Sequence, residues 1–492
     1  MISPSFTEFK KKLKHGNLIP VWDEIPQVDD TPVSVFAKID RSEHSFLFES
    51  ADGTDKWARH SFLGSGSNCI FRARGRSVEI IENGSARTET GDPFELLRKL
   101  LGRYKFVADP GVAPFSGGAV GHMNYDAVRL VEDLPASKPD LLGVWDLHFA
   151  VTFSVLIFDN TNSSVKTVVC AHCPDPGRAK EVYDSATEEI ERLKSAVAAP
   201  PPRSSAPARG DGAGAPSSNF ERADFESAVA AVKEYIRAGD IIQAVISQRW
   251  HTPLDVKPLA LYRALRELNP SPYMFLLKTG GQTLVGASPE VMVRKTGAVV
   301  ESRPIAGTRP RGADAAADDA LARQLLADEK ERAEHIMLVD LARNDLGRVA
   351  KPGTVKVDSF MKVERYSHVM HMTSNVRGEI APGRDMIDLV KAVFPAGTLS
   401  GAPKVRAMEI IDEIEPSTRG PYGGAVGYMS FSGDMDTCIA IRTFLIKDGS
   451  IYFQAGAGIV ADSDPAKEYE ETVNKARALI KALEKARGAR ER

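Results

Sequence analysis

The segment "AVAAPPPRSSAPARGDGAGAPSSN" at positions 196–219 sets the strongest limit on how this chain can fold. It consists almost entirely of Pro, Ala, Gly and Ser, and it offers few side chains that a hydrophobic core could bury. We therefore predict a flexible linker or long surface loop here. It would separate an N-terminal region (1–195) from a C-terminal region (220–492).

Charge and composition exclude several classes of protein. Lys and Arg number 63 against 66 Asp and Glu, so the net charge of −3 gives no reason to expect nucleic acid as a partner. The N-terminus lacks the apolar run of a signal peptide, and no later segment reaches membrane-spanning length. Four cysteines are too few for a disulfide framework, and the single C-x-x-C of Cys170 and Cys173 leaves its role open. We expect a cytoplasmic protein with no membrane partner.

Both regions mix strand and helix patterns, which predicts an α/β (α+β) fold. Segments 147–160 and 297–307 are rich in β-branched and aromatic residues, as strands are. Segment 223–240 repeats apolar residues at helical spacing up to Gly239, and 319–347 predicts a second, long helix. An internal echo, "GGAVGHMNYD" and "GGAVGYMSFSGD", suggests closely approaching strands in two related sheets, one in each region.

Two helical segments carry paired carboxylates at E-x-x-E spacing. Glu331 and Glu334 form one pair, and Glu468 and Glu471 form the other. Residues at i and i+3 share a helix face, so the two pairs could converge on a hard cation such as Mg²⁺. A solvated face with salt bridges to nearby Lys and Arg accounts for the same pattern. Spacing alone leaves both interpretations open.

Several glycine-rich segments, and two polar residues within apolar segments, are candidates for a binding or catalytic site. Glycine-rich segments at 304–312, 397–407 and 454–464 could bring backbone amides close to an anion, although each is also compatible with a simple turn. Glu290 follows a predicted strand, where partial burial would raise the pKa of its carboxyl group; it could equally cap a turn. His371 alternates with Met370 and Met372, so its side chain should lie on the opposite strand face, as a catalyst or as a buried structural residue.

These segments, in this order, resemble the chorismate-utilising enzymes, and among them most closely the large subunits of anthranilate synthases. The resemblance covers the whole C-terminal region and is looser before it, at "FLFES" and "GGAVGHMNYD". The matching segments are "DIIQAVISQR", "NPSPYMFLL", "GASPE", "PIAGTRPRG", "HIMLVDLARNDLGRV", "VMHMTSNVRG", "GTLSGAPKVRAMEIID", "GGAVGYMSFSGDMDTCIAIRT" and "QAGAGIVADSDPAKEYEETVNKA". The family's fold implies antiparallel sheets packed with helices, with catalysis in 220–492 and regulation in 1–195.

The resemblance also implies a role for each candidate residue. Glu290 would be the general acid for the departing ring hydroxyl, and His371, near the ring with Thr398, would act in the aromatising step. Mg²⁺ would lie under the ring carboxylate of chorismate, held directly or through water by the four paired carboxylates. The substrate carboxylates would be bound by Tyr422, Arg442 and the backbone of Gly456 and Gly458. Glu470 would stay solvated.

Two positions distinguish among the reactions of this family. Members that add water to chorismate have a lysine base where this chain has Gln243. Members that make aminodeoxychorismate have a nucleophilic lysine where it has Ala306. Both substitutions favour attack by ammonia at ring carbon 2, followed by loss of pyruvate to give anthranilate, the first committed step of tryptophan biosynthesis.

The remaining expectations concern partners and regulation. The family's amidotransferase partner uses a cysteine in a glycine-rich elbow, and none of the cysteines here lies in one, so the resemblance implies a separate glutamine amidotransferase subunit that supplies the ammonia. The resemblance also implies a heterotetramer as the common assembly, although dimers occur in the family. The family's L-tryptophan inhibitor site is matched by Ser50 together with Pro272, Tyr273 and Met274, which could instead simply pack the interface. The alternatives are an aminodeoxychorismate synthase component I and a catalytically silent tryptophan-binding subunit.

Overall fold

The computed structural model describes residues 1–51, 59–200, 214–366 and 369–488, which form two large antiparallel sheets covered by helices. The strands are β1 (Leu18–Ile25), β2 (His44–Glu49), β3 (His60–Ser65), β4 (Cys69–Arg74), β5 (Ser77–Glu82), β6 (Ser85–Thr90), β7 (Gly118–Met123), β8 (Leu147–Thr152), β9 (Ser154–Asp159), β10 (Ser164–His172), β11 (Ser217–Ser218), β12 (Gln243–Pro253), β13 (Tyr273–Thr279), β14 (Gln282–Ser288), β15 (Val291–Thr296), β16 (Val299–Ser302), β17 (Ile305–Pro310), β18 (Lys356–Arg365), β19 (Val369–Glu379), β20 (Gly401–Ala402), β21 (Ala425–Ser430), β22 (Met435–Ile439), β23 (Thr443–Lys447) and β24 (Ser450–Ile459). The helices are α1 (Phe6–Lys12), α2 (Pro32–Ile39), α3 (Pro93–Leu101), α4 (Ala179–Ala198), α5 (Arg222–Ala238), α6 (Pro258–Leu268), α7 (Ala315–Ala327), α8 (Glu329–Gly347), α9 (Met386–Val393), α10 (Lys404–Ile414) and α11 (Pro465–Gly488).

Each sheet combines strands from both halves of the chain. The first sheet runs β1-β10-β9-β3-β2-β13-β14-β23-β24-β12-β11, with β20 also on β12. The second runs β17-β19-β16-β15-β22-β21-β7-β8-β4-β5-β6, with β18 also on β19. The halves meet where β2 pairs with β13 and where β7 pairs with β21. The N- and C-terminal regions therefore share one framework, with a hydrogen-bonded seam in each sheet.

The two sheets pack face to face, and helices cover their outer faces. The core between them joins residues such as Phe46, Phe275 and Leu445 of the first sheet to Val120 and Val426 of the second. Helices α1, α2, α4, α6 and α11 cover the first sheet, and α5 and α10 cover its β12–β24 end. Helices α3, α8 and α9 cover the second sheet. The result is a four-layer arrangement of helices, sheet, sheet and helices.

The two echoing glycine segments are direct neighbours. Gly121 in β7 lies opposite Gly427 in β21, so the prediction of two separate sheets, one in each region, is wrong. The predicted close approach is confirmed, because a Cβ atom on Gly121 would lie 2.0 Å from the carbonyl oxygen of His148. A Cβ atom on Gly427 would likewise lie 2.1 Å from the carbonyl oxygen of Asp436, so each glycine lets its strand approach the neighbouring strand closely.

Several predicted elements are confirmed, and one is wrong. Segment 147–160 forms β8 and β9, and 297–307 contains β16 and the start of β17. Helix α5 ends at Gly239, whose φ of 84° suits a residue without a side chain. The predicted single helix over 319–347 is two helices, α7 and α8. Asp328 breaks it because its extended backbone lets the carboxylate accept the amides of Lys330 and Glu331 as the N-cap of α8.

The predicted linker lies partly outside the described residues, which exclude 201–213. At its start, 196–198 are the last residues of α4, and at its end β11 pairs with β12. The four cysteines are buried free thiols, and Cys170 and Cys173 donate to different carbonyl groups, those of Ser116 and Asp175. Within the described residues, no helix is both long and apolar enough to cross a membrane.

The close packing of β7 against β8 leads to a stability prediction. Gly121→Ala should lower the melting temperature, because overpacking of this kind costs about 1–3 kcal/mol. Gly347→Ala is the matched control, since nothing lies within 4 Å of its added methyl group. Thermal unfolding followed by circular dichroism measures both. Equal melting temperatures for the two variants would contradict the close approach of Gly121 to β8.

Candidate active site

A cavity of about 950 Å³ in the C-terminal region gathers most of the predicted site residues. Its walls are formed by α8 and α11, by the adjacent strands β12 and β24, and by β17. The predicted residues that line it are Gln243, Glu290, Glu331, Glu334, Thr398, Tyr422, Arg442, Gly456, Gly458, Glu468 and Glu471. His371 lies just behind the wall, in contact with the lining residues Gly307 and Thr308.

Two of these residues lie where the chain passes from one sheet to the other. Pro289 and Glu290 connect β14 of the first sheet to β15 of the second. Arg442 immediately precedes β23, on the return from the second sheet to the first, and adopts a φ of 50°. Such a backbone conformation is uncommon for a residue with a side chain, and it is a recurrent feature of functional sites. The paired sheets thus place an acid and a guanidinium side by side.

Glu290 is in the protonated form at neutral pH. Only 8% of the residue is exposed, and the hydroxyl of Thr398 donates to its Oε1 over 3.1 Å. Burial raises the pKa of the Glu290 carboxyl to about 8, against the opposing effects of Thr398 and Arg442. A buried carboxyl that keeps its proton at pH 7 can serve as a general acid.

The hydrogen bonds of His371 determine which of its ring nitrogens carries the proton. Nδ1 lies 3.0 Å from the carbonyl oxygen of Gly307 and 3.1 Å from Oγ1 of Thr308. A carbonyl oxygen can only accept, so Nδ1 is the donor and Nε2 is left with a free lone pair. Burial lowers the pKa of His371, which keeps the ring neutral. Met370 and Met372 are fully buried in a separate cluster, so the predicted alternation of strand faces is confirmed.

The wall formed by β12 and β24 is built around two glycines. A Cβ atom on Gly456 would lie 2.8 Å from the hydroxyl of Tyr422, and one on Gly458 would lie 2.5 Å from Nε2 of Gln243. Side chains at these positions would therefore displace both polar neighbours. Within the described residues, no carboxylate lies within ion-pair distance of Arg442, so its charge is available to an anionic ligand.

The paired carboxylates of α8 and α11 line the same cavity. Burial raises the pKa of Glu334, and the neighbouring carboxylates of Glu331 and Glu471 add to this effect. Burial also raises the pKa of Glu468, with a further contribution from Glu471. Two cations partly balance the cluster, since Arg309 donates to Glu331 over 3.0 Å and Lys475 to Glu471 over 2.7 Å. Glu470, outside the cavity, pairs with Arg222 at an exposed position, as its solvated interpretation predicts.

The fit of a divalent cation follows from this set of donors. Within the described residues, no three His, Cys, Asp or Glu side chains are already arranged to hold a metal ion. Mg²⁺ does not require such a cage, because it commonly takes one or two carboxylates, several waters and oxygens of the substrate. An excess of carboxylates with raised pKa values is the chemistry that such a cation relieves. The residues present therefore fit Mg²⁺.

A second cavity, of about 480 Å³, lies between the two sheets and includes all four predicted inhibitor-site residues. Ser50 follows β2, Pro272 directly precedes β13, and Tyr273 and Met274 begin β13, so both halves of the chain contribute to the cavity. The hydroxyl of Tyr273 donates to Asp436 over 2.9 Å, and Arg294 pairs with the same carboxylate over 2.8 Å. The cavity thus combines aromatic walls with charges of both signs.

Several residues at the site were not identified from the sequence. Gln454 and Lys475 line the cavity, and Arg309 contacts Glu331. Lys475 follows Glu471 at helical i, i+4 spacing, which could have linked it to the carboxylate face. A single neutral glutamine in a strand gives no comparable signal. Ala306 lies on β17 but not in the cavity wall, between the lining residues Ile305 and Gly307.

Comparison with known proteins gives one consistent family. The sequence pattern of the chorismate binding enzyme family matches residues 44–481. Anthranilate synthase component 1 of Acetivibrio thermocellus is 46% identical over 492 residues, which are 99% of each chain. The protein of that name from Pseudomonas putida is 45% identical over 95% of each chain.

Solved structures show the same relationship. The crystal structure of anthranilate synthase component I from Streptococcus pneumoniae has a TM-score of 0.75 at 36% identity, covering 86% of this chain and 92% of that one. The menaquinone-specific isochorismate synthase of Escherichia coli has a TM-score of 0.71 over 97% and 99% of the two chains, and its 18% identity shows a shared fold alone. The predicted fold is therefore confirmed. The chain belongs to the family of chorismate-binding enzymes, in its anthranilate synthase component 1 branch.

Proposed function

We propose that this chain converts chorismate and ammonia to anthranilate and pyruvate. The observation that carries the proposal is a cavity lined by a protonated Glu290 and by Arg442, with a neutral His371 directly behind its wall, in a chain that is 46% identical to an anthranilate synthase component 1. Acid, base and carboxylate receptor are the three groups that this reaction needs.

Substrate binding relies on charge at both ends of the cavity. Arg442 binds one carboxylate of chorismate, supported by Tyr422 and the backbone of Gly456 and Gly458. Mg²⁺, held by carboxylates from Glu331 and Glu334 on α8 and from Glu468 and Glu471 on α11, would supply positive charge for the ring carboxylate. Without that charge, the ring carboxylate would meet a wall of like charge.

Glu290 acts in the first step. Ammonia attacks ring carbon 2 as the C4 hydroxyl departs, and the proton of Glu290 lets the hydroxyl leave as water. Gln243 is neutral and cannot deprotonate water, so it gives no help to hydration of chorismate, whereas ammonia needs no base. Ala306 offers no nucleophile for the route through a covalent intermediate. These two residues favour amination and argue against an aminodeoxychorismate synthase.

His371 acts in the second step. Its free Nε2 accepts the proton from ring carbon 2, the bond between C3 and the enolpyruvyl oxygen breaks, and the ring becomes aromatic. The enolpyruvate released takes up a proton to become pyruvate. The hydrogen bond from Nδ1–H of His371 to the carbonyl oxygen of Gly307 holds the imidazole in the tautomer that this step requires.

Ammonia would come from a separate glutamine amidotransferase subunit, in a heterotetramer. A glutaminase nucleophile is a reactive thiolate, and all four cysteines here are buried. Burial raises the pKa of Cys69 to about 11 and that of Cys170 to about 12, which suppresses thiolate formation.

The cavity between the sheets is the proposed site of inhibition by L-tryptophan. Its aromatic walls suit an indole ring, and its paired charges suit a zwitterion. Pro289 and Val291 line this cavity, while Glu290 between them lines the catalytic one. A ligand between the sheets thus contacts the segment that holds the acid, which gives it a route to differential affinity for two states.

The activity itself is the first prediction. Purified chain with chorismate, ammonium and Mg²⁺ should produce the fluorescence of anthranilate, and chelation of divalent metal should abolish it. Chorismate consumed without fluorescence, to an amino or hydroxy product, would show that the interpretation of Gln243 and Ala306 is wrong. No turnover even with the glutaminase subunit present would favour the catalytically silent alternative.

Glu290→Gln tests the acid. We expect about 10²–10⁴-fold slower turnover, the usual contribution of a general acid. The melting temperature should not fall, because the amide removes a buried ionisable group. In the wild type, activity at constant unprotonated ammonia should decline as pH rises through about 8, where the Glu290 carboxyl loses its proton. A pH profile without that decline would exclude Glu290 as the acid.

Ser50→Phe tests the inhibitor cavity. The added ring should fill the space and clash with tryptophan, a cost of about 1–3 kcal/mol that weakens binding about tenfold or more. Calorimetry measures tryptophan binding, and activity without tryptophan should stay near the wild-type level. Ser77→Phe, on an exposed position of β5, is the matched control. Unchanged tryptophan affinity in Ser50→Phe would place the inhibitor elsewhere.

A further inference from the structure

Gln454 has a buried side-chain oxygen without a hydrogen-bond partner. Its Nε2 lies 2.8 Å from Oγ of Ser247, which lies 2.7 Å from Oε1 of Glu415. A carboxylate can only accept, so the Ser247 hydroxyl donates its one hydrogen bond to Glu415. Ser247 must therefore accept the hydrogen bond from Nε2 of Gln454. This fixes the orientation of the amide. Oε1 of Gln454 is left with no partner among the described residues, although only 7% of the residue is exposed.

Gln454 also lies at the junction of two cavities. It lines the catalytic cavity and a small cavity of about 20 Å³ behind Tyr422, and Tyr422 lines both as well. A space of this size holds one molecule as small as water or ammonia. A buried acceptor beside such a space calls for a hydrogen-bond donor to occupy it.

The charges around the small cavity select against cations. Arg249 and Arg419 both line it. Arg419 is paired with Glu415, whereas the guanidinium of Arg249 donates to the hydroxyl of Ser417 and to the carbonyl of Thr418, over 3.0 and 3.1 Å. No carboxylate lies within ion-pair distance of Arg249 in the part of the chain that the structure describes. The excess positive charge disfavours ammonium and tolerates neutral ammonia.

We propose that Gln454 and the small cavity behind Tyr422 form the ammonia subsite. The inference rests on the proposed function, in which ammonia is the nucleophile. Oε1 accepts an N–H of ammonia and leaves the nitrogen lone pair free to attack the ring. The subsite thus makes Gln454 a specificity residue for the amine, in addition to the groups that bind chorismate.

Two substitutions of Gln454 test the proposal. Gln454→Met keeps the length but removes the acceptor, and it should raise the KM for ammonium about tenfold, the value of one buried hydrogen bond. Gln454→Leu, which also lacks an acceptor, should raise the KM for ammonium by a similar factor. The KM for chorismate, and chorismate binding by calorimetry, should not change in either variant.

Gln248→Met is the matched control. Gln248 is fully buried on the same strand as Ser247, but both ends of its amide have partners, Thr472 over 2.7 Å and Ser218 over 2.6 Å. Gln248→Met should lower the melting temperature without changing the KM for ammonium.

Three results would overturn the subsite. They are an unchanged KM for ammonium in Gln454→Met, a wild-type KM for ammonium in Gln454→Leu, and equal rises in the KM values of ammonium and chorismate. Formation of anthranilate by the wild type tests the proposed function separately, so failure of one is distinguishable from failure of the other.

Discussion

The buried ion pair of Arg419 and Glu415 holds the catalytic cavity together. Their side chains are 1% and 4% exposed, and they meet at 2.6 Å. The Arg419 guanidinium also donates to the carbonyl groups of Leu399 and Val245, each over 2.6 Å. Those carbonyls belong to the turn that carries Thr398 and to the strand that carries Gln243. Breaking a buried pair by removing one partner costs about 3–5 kcal/mol, so these walls are strongly fixed to each other.

The same pair organises the polar residues behind the cavity. Arg419 lies over the rings of Tyr125 and Tyr422, at 4.4 and 5.7 Å, while Glu415 accepts from the backbone and hydroxyl of Ser247. The Ser247 hydroxyl then orients the amide of Gln454. A single buried charge pair therefore helps to position the Tyr422 phenol and to orient the amide of Gln454, both of which line the cavity.

The sandwich of two sheets provides the second constraint. The chain crosses between the sheets at Glu290 and at Arg442, and both crossings open into the catalytic cavity. The cavity proposed to bind the inhibitor lies between the same sheets. Since both halves of the chain contribute strands to each sheet, the N-terminal region is part of the framework that positions the acid, in addition to supplying one wall of the second cavity.

Local sequence patterns account for individual elements better than for their arrangement. The apolar repeat that ends at Gly239 predicted α5 correctly, because periodicity and a left-handed cap are local properties. The prediction of one helix over 319–347 was wrong at Asp328. There the side-chain hydrogen bonds that cap α8 replace the backbone hydrogen bonds that would continue α7. The repeated segments around Gly121 and Gly427 predicted strands whose backbones approach a neighbour closely, but only the tertiary structure shows that these two strands pair with each other.

The sequence by itself determined the mixture of helices and strands, the family resemblance, and the residue types that could serve as acid, base and metal ligands, because these follow from local chemistry. Only the tertiary structure decided which of them share a cavity. Burial raises the pKa of Glu290 to about 8, and Gly307 selects the tautomer of His371. The side-chain oxygen of Gln454 lacks a partner because the Ser247 hydroxyl donates its hydrogen bond to Glu415 and therefore accepts from the amide nitrogen of Gln454. Protonation states and unpaired atoms depend on neighbours distant in the chain, which spacing along a sequence does not specify.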